Sequence, residues 1–145
     1  MSPITVIRNR IAAEFETLKR TESGRVPEFD ISLLWLGETE VTRVSTYCVV
    51  VSGETRDRQT HTHDLWTIKG KIVVWAHDAT DASATVYEMI EDAQDVLRRA
   101  FEALRGVIQS GRADEWDGPE RTTISKEWAQ AVIPWSCTHR RSGMV

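Results

Sequence analysis

The chain contains no run of eighteen apolar residues, so no transmembrane helix is expected. It has no basic excess: 18 Lys and Arg stand against 22 Asp and Glu, for a net charge of −4. A protein whose main task is neutralising phosphates usually carries the opposite balance. Cysteine is scarce, with only Cys48 and Cys137 present. Both lie inside apolar, strand-like runs. They are expected to be reduced core residues of a cytosolic chain rather than a disulfide. The patterns GxxxxGK(S/T), GxGxxG, GxSxG and CxxC are all missing, which removes the phosphate-loop, dinucleotide, nucleophile-elbow and dithiol readings. The opening MSPITVIRNRIAAEFE meets charge too early for a signal peptide. No internal repeat and no low-complexity tract occurs.

What is present suits one soluble α+β domain spanning residues 1–145. The hydrophobic share is 41% and the charged share 28%, both ordinary for a globular chain. A domain of this size buries roughly 68–70% of its unfolded surface and needs no staples. Tryptophan is the exception in the composition, at six residues. It adds large contact area in cores and at interfaces alike.

The first element expected is a helix. Ser2 can cap it and Pro3 suits its first turn. Ile4, Ile7, Ile11, Phe15 and Leu18 recur at spacings of three and four and form one apolar stripe. TESGRVPEFD (21–30) should end it through Gly24 and Pro27. ISLLWLG (31–37) and VTRVSTYCVVVSG (41–53) are expected strands, and GETRDRQT (53–60) a polar connection of hairpin type. In DLWTIKGKIVVWA (64–76), Trp66, Ile68, Ile72, Val74 and Ala76 share one face. The other face turns apolar only at Val73 and Trp75, so it should be covered only near that end. Gly70 suggests a bend or bulge.

HDATDASATVYEMIEDAQDVLRRAFEALRGVIQ (77–109) reads as a turn into a long helix. Asp78, Thr80 and Asp81 are plausible caps, and Val86, Ile90, Ala93, Leu97, Phe101, Leu104 and Ile108 form its stripe. Its acids come early and its arginines late, which complements the helix dipole. SGRADEWDGPERTT (110–123) is expected to be a polar loop, EWAQAVIPWSCTHR (127–140) a last strand with Pro134 marking an edge or bulge, and 141–145 a tail. The order α-β-β-β-α-β implies a mixed or antiparallel sheet of about four strands. The long helix would serve as the crossover into the last strand.

Four constellations could carry chemistry or contact. His61 and His63 would share a strand face and could hold a metal with Asp64 or His77. However, roughly 45 Å of extended chain separates His63 from His77, and no turn sequence intervenes; polar strand ends are the competing reading. Zinc would need three or four ligands at ~2.0–2.3 Å. Cys48 and His139 form a conceivable nucleophile and base, against an inert core thiol. Glu88, Glu91, Asp92 and Asp95 are either a carboxylate site or a solvated helix face. Trp116, in ADEWDGPE, either tucks onto the core or is offered to a partner. The basic tail around Arg140 and Arg141 fits a protein contact better than nucleic acid. An interface, if present, is expected to draw on Trp116, Asp114, Arg112, Arg140, Arg141, Glu88 and Asp92. No catalytic residue and no cofactor is expected.

With the amphipathic N-terminal helix, the strand KGKIVVWA (69–76), its passage through HDATDAS into YEMIEDAQDVLRRAFEAL (87–104), and the closing strand AVIPWSCTHR (131–140), the chain resembles the tail-terminator and tail-completion proteins of long-tailed bacteriophages and related particles. The resemblance implies a structural virion protein rather than an enzyme. It implies a ring of self-copies, commonly six, at the head-proximal end of the tail. Such a ring stops tail-tube polymerisation and joins the tail to the neck. The implied partners are the tail-tube protein, a head connector or stopper protein, and DNA passing through the lumen without specific binding; no membrane is implied. Assembly would occur in the host cytoplasm. A head-completion or stopper protein of the same neck is the near alternative. A small ligand- or metal-binding domain using His61, His63 and Asp64 is the alternative from another class.

Overall fold

Amphipathic periodicity and strand alternation build one α+β unit with a single sheet. The computed structural model describes residues 2–36, 44–59, 63–117 and 127–142, and only the backbone of 57–59, 63–64 and 141–142. Helix α1 spans Pro3–Thr21. Its Ser2 hydroxyl accepts from the Thr5 amide at 3.2 Å, satisfying one of the orphan donors of the first turn. Ile7, Ile11, Phe15 and Leu18 are its buried stripe. The helix stops at Glu22 rather than at Gly24. Glu22 takes a left-handed conformation (φ 53°), and the amide of Ser23 donates to Leu18 O, closing the last turn in a Schellman arrangement.

Strand β1 is only Asp30–Ser32, and β2 is Thr46–Gln59. The expected hairpin connection at 53–60 is therefore strand as far as Gln59. Strand β3 is His63–His77. Helix α2 is Ala82–Ala103, capped by the Asp81 side chain accepting from the Ala84 amide at 3.2 Å. Strand β4 is Ser110–Ala113 and β5 is Trp128–Ser142. The sheet thus has five strands, in the order β1-β2-β3-β5-β4. The fifth, β4, lies inside the segment expected to be polar loop, and Arg141 and Ser142, expected to be tail, extend β5.

The crossover also differs from expectation. β3 and β4 each pair antiparallel with β5, so they run parallel to one another. Helix α2 is the crossover between those two, and β5 returns into the gap between them. A short edge strand can be built from polar residues because half of its backbone groups face solvent, so its composition carries little strand signal.

Both helices cover one face of the sheet. Tyr47, Val49, Ile68, Ile72, Val74, Ala131, Ile133 and Trp135 meet the helix stripes in one core. Phe15 stacks on Tyr47 at 4.4 Å and Phe29 meets it edge-on at 5.1 Å. The opposite face holds a small second cluster of Cys48, Val73 and Trp75, packed by Leu36, Val50 and Trp128. The expectation that this second face is covered only near the end of β3 holds.

Two punctuating residues have tertiary reasons. The register of β2 slips between Val51 and Gly53, beside the Val51–Gly70 pair, so the bulge is in β2 and not at Gly70 itself. Pro134 sits in an interior strand. Its carbonyl accepts from the Asp114 amide at 2.7 Å, so its N side also points toward β4, whose last pair is Ala113 with Trp135. Proline's missing donor falls where the ladder has already ended, the position a strand proline tolerates.

Candidate functional site

The four early carboxylates of α2 form neither an open carboxylate site nor a plain solvated face. They converge on Arg25, in the turn after α1. Asp92 is 3% exposed. Its Oδ1 accepts from Arg25 Nη1 at 2.6 Å, and its Oδ2 from the Arg25 amide at 2.8 Å. Glu91 lies 3.2 Å, Asp95 3.5 Å and Glu88 3.7 Å from the same guanidinium. The hydrogen bond to Asp92, ahead of the other carboxylates, raises the guanidinium pKa further. This is a clamp that ties the α1–β1 turn to the middle of α2. Asp92 is thus buried and committed internally, so it cannot serve as the interface residue expected from sequence. Glu88 remains exposed.

The remaining interface expectations divide. Arg112 and Asp114 sit at the end of β4 and pair with each other at 3.0 Å. Arg140 is exposed on β5. Arg141 is placed on β5 by its backbone, opposite Asp64, and its side chain lies outside the described residues. Trp116 is 37% exposed and meets Tyr87 of α2 edge-on at 6.0 Å. It neither enters the core nor stands free. Replacing Trp116 with alanine should cost less than about 1 kcal/mol in urea unfolding, since only part of its area is buried; a loss above about 2 kcal/mol would make it a core residue.

Of the histidine constellation, His61 lies outside the described residues, as do the side chains of His63 and Asp64. The backbone of His63 nevertheless fixes its separation from His77. His63 and His77 are the two ends of one unbroken strand, roughly 46 Å apart at about 3.3 Å per residue. His77 packs on Trp128 with ring centroids 4.5 Å apart. Among the described residues no group of three or more potential metal ligands occurs. Asp78 acts on backbone instead. It accepts from the amides of Thr80 and Asp81 at 2.8 and 3.1 Å and from the Thr85 hydroxyl at 2.9 Å. These bonds, the Thr80 one foremost, hold its carboxyl below the usual range.

Cys48 and His139 do not meet. Cys48 belongs to the second face, whereas His139 follows Cys137 by two residues on the helix-side face of β5. His139 is 1% exposed and its Nε2 lies 3.0 Å from Glu54 Oε2. Burial, with the Glu54 charge adding to it, pushes the Cys137 thiol up to about 12. Neither thiol should react with iodoacetamide at pH 8 while the chain is folded; mass spectrometry before and after unfolding checks this. The same shift sets an alkaline limit. Above about pH 9 the unfolded chain releases the Cys137 proton and the folded chain keeps it, so stability falls as pH rises from about 9 to 12. Tyr47, whose phenol burial also raises, steepens the fall above about pH 10. A flat stability profile from pH 8.5 to 11, followed by urea unfolding, would contradict both shifts.

Two surface features were not foreseen. Leu33, Leu34 and Trp35 are 41%, 72% and 50% exposed. Their run, ISLLWL, reads as a strand, and strand residues with no polar alternation are normally covered on both faces. The chain leaves the sheet at Ser32 instead. The second feature is a cleft of 380 Å³ between the end of α2 and β4, with Phe101 and Ile108 in its wall and Arg98, Arg105 and Arg112 around it. Sequence periodicity places Phe101 and Ile108 in a core stripe, which is correct, but it cannot show that the core opens there.

Among the described residues no helix is long and apolar enough to cross a membrane. The chain matches no protein-family model, and it matches no curated protein.

Proposed function

We propose that the chain is a ring-forming virion protein, a tail terminator at the head-proximal end of a phage tail. It would stop tail-tube polymerisation and join the tail to the neck, acting by contact. The observation that supports this most directly is the one-sidedness of the sheet. Both helices pack on one face, and beside the other stands an exposed apolar step, Leu33–Trp35. A subunit with such a surface gains apolar burial when a neighbour covers it. The element order, one helix, three strands, a long helix and then the closing strands, is compatible with the same reading. The net charge of −4 suits a conduit through which DNA passes without adhering.

The test is mass by light scattering over a concentration series, with negative-stain images of the same sample. Closed rings, of about the six subunits that the resemblance implies, are the expected result. A strict monomer at tens of micromolar, alone and with added tail-tube protein, would remove the proposal. A ring that binds the head connector and not the tube would make it a stopper of the same neck.

A further inference from the structure

We infer that the helix-free face of the sheet binds a single strand of nucleic acid, with phosphates on Lys69, Lys71 and Arg140 and a base on Trp35. The inference is independent of the ring reading and holds for a single copy of the chain.

Strand register gathers these residues. Val73 and Trp75 belong to the face opposite the helices, and alternation puts Leu65, Thr67, Lys69 and Lys71 of β3 on that face with them. Thr67 lies between Thr55 of β2 and Thr138 of β5, and Thr138 pairs in turn with Ser110 of β4. A row of hydroxyl residues therefore crosses the sheet, roughly 14 Å wide over three strand spacings. The Ser110 and Thr138 hydroxyls are 2.8 Å apart. Cations flank the row on both sides. On one side are Lys69, opposite Ser136, and then Lys71; on the other is Arg140, opposite Leu65. Lys71 and Leu65 are 71 − 65 = 6 residue steps apart, so the patch is about 20 Å long.

The patch is one-signed. Among the described residues of β2, β3, β4 and β5, no carboxylate side chain takes an outward position. Asp114 and Asp117 lie past the end of β4, at the margin, and Asp114 is taken up by Arg112 at 3.0 Å. The three cations are held differently. Lys69 and Arg140 are exposed. Arg140 donates to the neutral side-chain oxygen of Gln109. Lys71 Nζ stands 3.8 Å above the neutral ring of Trp35. In a chain whose net charge is −4, this is a segregated area of positive potential.

The residue types point to the occupant. Lys, Arg, Ser and Thr are the side chains that contact phosphate oxygens. Protein interfaces instead deplete Lys and Ser and favour aromatic residues at their core. Trp35 decides between a single strand and a duplex. It is 50% exposed at the Lys71 end of the patch, and an indole there is a platform for an unpaired base, which a duplex keeps within its own stack. The turn carrying it is fixed: the Ser32 hydroxyl accepts from the Leu34 amide at 3.1 Å, and Trp75 Nε1 donates to Leu36 O at 3.0 Å. Phosphate contacts carry no sequence information. Three cations make the contact weak and sensitive to salt, so it guides a strand rather than gripping it.

The test is fluorescence anisotropy of labelled oligo-dT, with a labelled duplex beside it. The strand should bind at roughly 10–100 µM protein in low salt and lose about 20-fold in affinity between about 50 and 200 mM salt, a logarithmic slope near −2 from ~0.7 for each of three phosphates. Lys69→Glu with Arg140→Glu should weaken binding by about tenfold or more. Lys69→Gln alone should reduce the steepness of the salt slope by about 0.7. Trp35→Ala should weaken binding of the strand by about fivefold or more and leave the duplex unchanged. The control, Arg20→Glu with Arg99→Glu, makes the same change of charge at exposed helix positions and should stay within about twofold of the wild type. Circular dichroism checks the folding of each variant. No binding by the wild type at about 100 µM, or an equal loss in the control, would overturn the proposal. Tighter binding of the duplex would overturn the single-strand assignment. Equal affinity for labelled polyglutamate would make the face a general contact for acidic chains and overturn the nucleic-acid assignment.

Discussion

Gly70→Ala is expected to cost about 4 kcal/mol or more, enough to bring a domain of ordinary stability close to its unfolding threshold. A Cβ at position 70 would stand 2.5 Å from the Val50 carbonyl oxygen and inside the contact distance of the Trp135 indole. Neither neighbour has room to yield. Val50 is backbone in a paired strand. Trp135 is 1% exposed and lies with its ring 6.1 Å from that of Phe101. Overpacking against a flexible chain end costs little, but here the obstruction is sheet backbone on one side and a buried ring on the other. Urea unfolding followed by tryptophan emission measures the loss. A change below about 1 kcal/mol would mean that the Trp135 ring can swing aside. The two residues should also be coupled: Trp135→Leu in the Gly70→Ala background should recover part of the loss, a non-additivity of about 1 kcal/mol or more.

Phe101→Ala is the second large effect, expected at roughly 3–5 kcal/mol. Phe101 joins three elements. It is on the last turn of α2, its ring is tilted against Trp135 of β5, and β4 approaches it so closely that a Cβ on Gly111 would fall 2.6 Å from Phe101 Cγ. Removing the ring leaves a cavity that strand backbone cannot fill by relaxing. Leu97, one turn earlier and 1% exposed, should lose roughly 2–5 kcal/mol as alanine for the same reason. The exposed neighbour Arg98 supplies the contrast, since Arg98→Ala should change stability by about 0.5 kcal/mol or less. Similar values at 97 and 98 would break the assignment of the buried face of α2.

The two helices, the strands β3 and β5, and the first half of β2 could be read directly from spacing, whereas the second half of β2, residues 54–59, was expected as a connection. Ile7, Ile11, Phe15 and Leu18 on α1, and Val86, Ile90, Ala93, Leu97 and Phe101 on α2, are all buried as their periodicity demands. The alternation in β3 likewise separates Ile68, Ile72 and Val74 from Val73 and Trp75. Ser2 and Asp81 cap their helices as their residue types suggest. In these cases a residue's environment follows from its neighbours along the chain, because an element's period sets which side chains share a face.

Other features were decided only when distant segments met. Gly70 suggested a bend or bulge; the bulge lies in β2 opposite it, and the reason for the glycine itself is an indole 65 residues further on, by the difference of the two residue numbers. Asp92 looked like one solvated acid among four, until the turn after α1 brought Arg25 onto it and buried it. β4 has a polar composition and exists because β5 offers it an edge. Leu33, Leu34 and Trp35 carry the composition of a covered strand, yet they lie outside the sheet because β1 ends at Ser32. The chain by itself therefore determined which residues seek burial and with what period. The tertiary structure decided which of them found a partner, because strand pairing and ion pairing depend on segments far apart in sequence, and no local pattern records them.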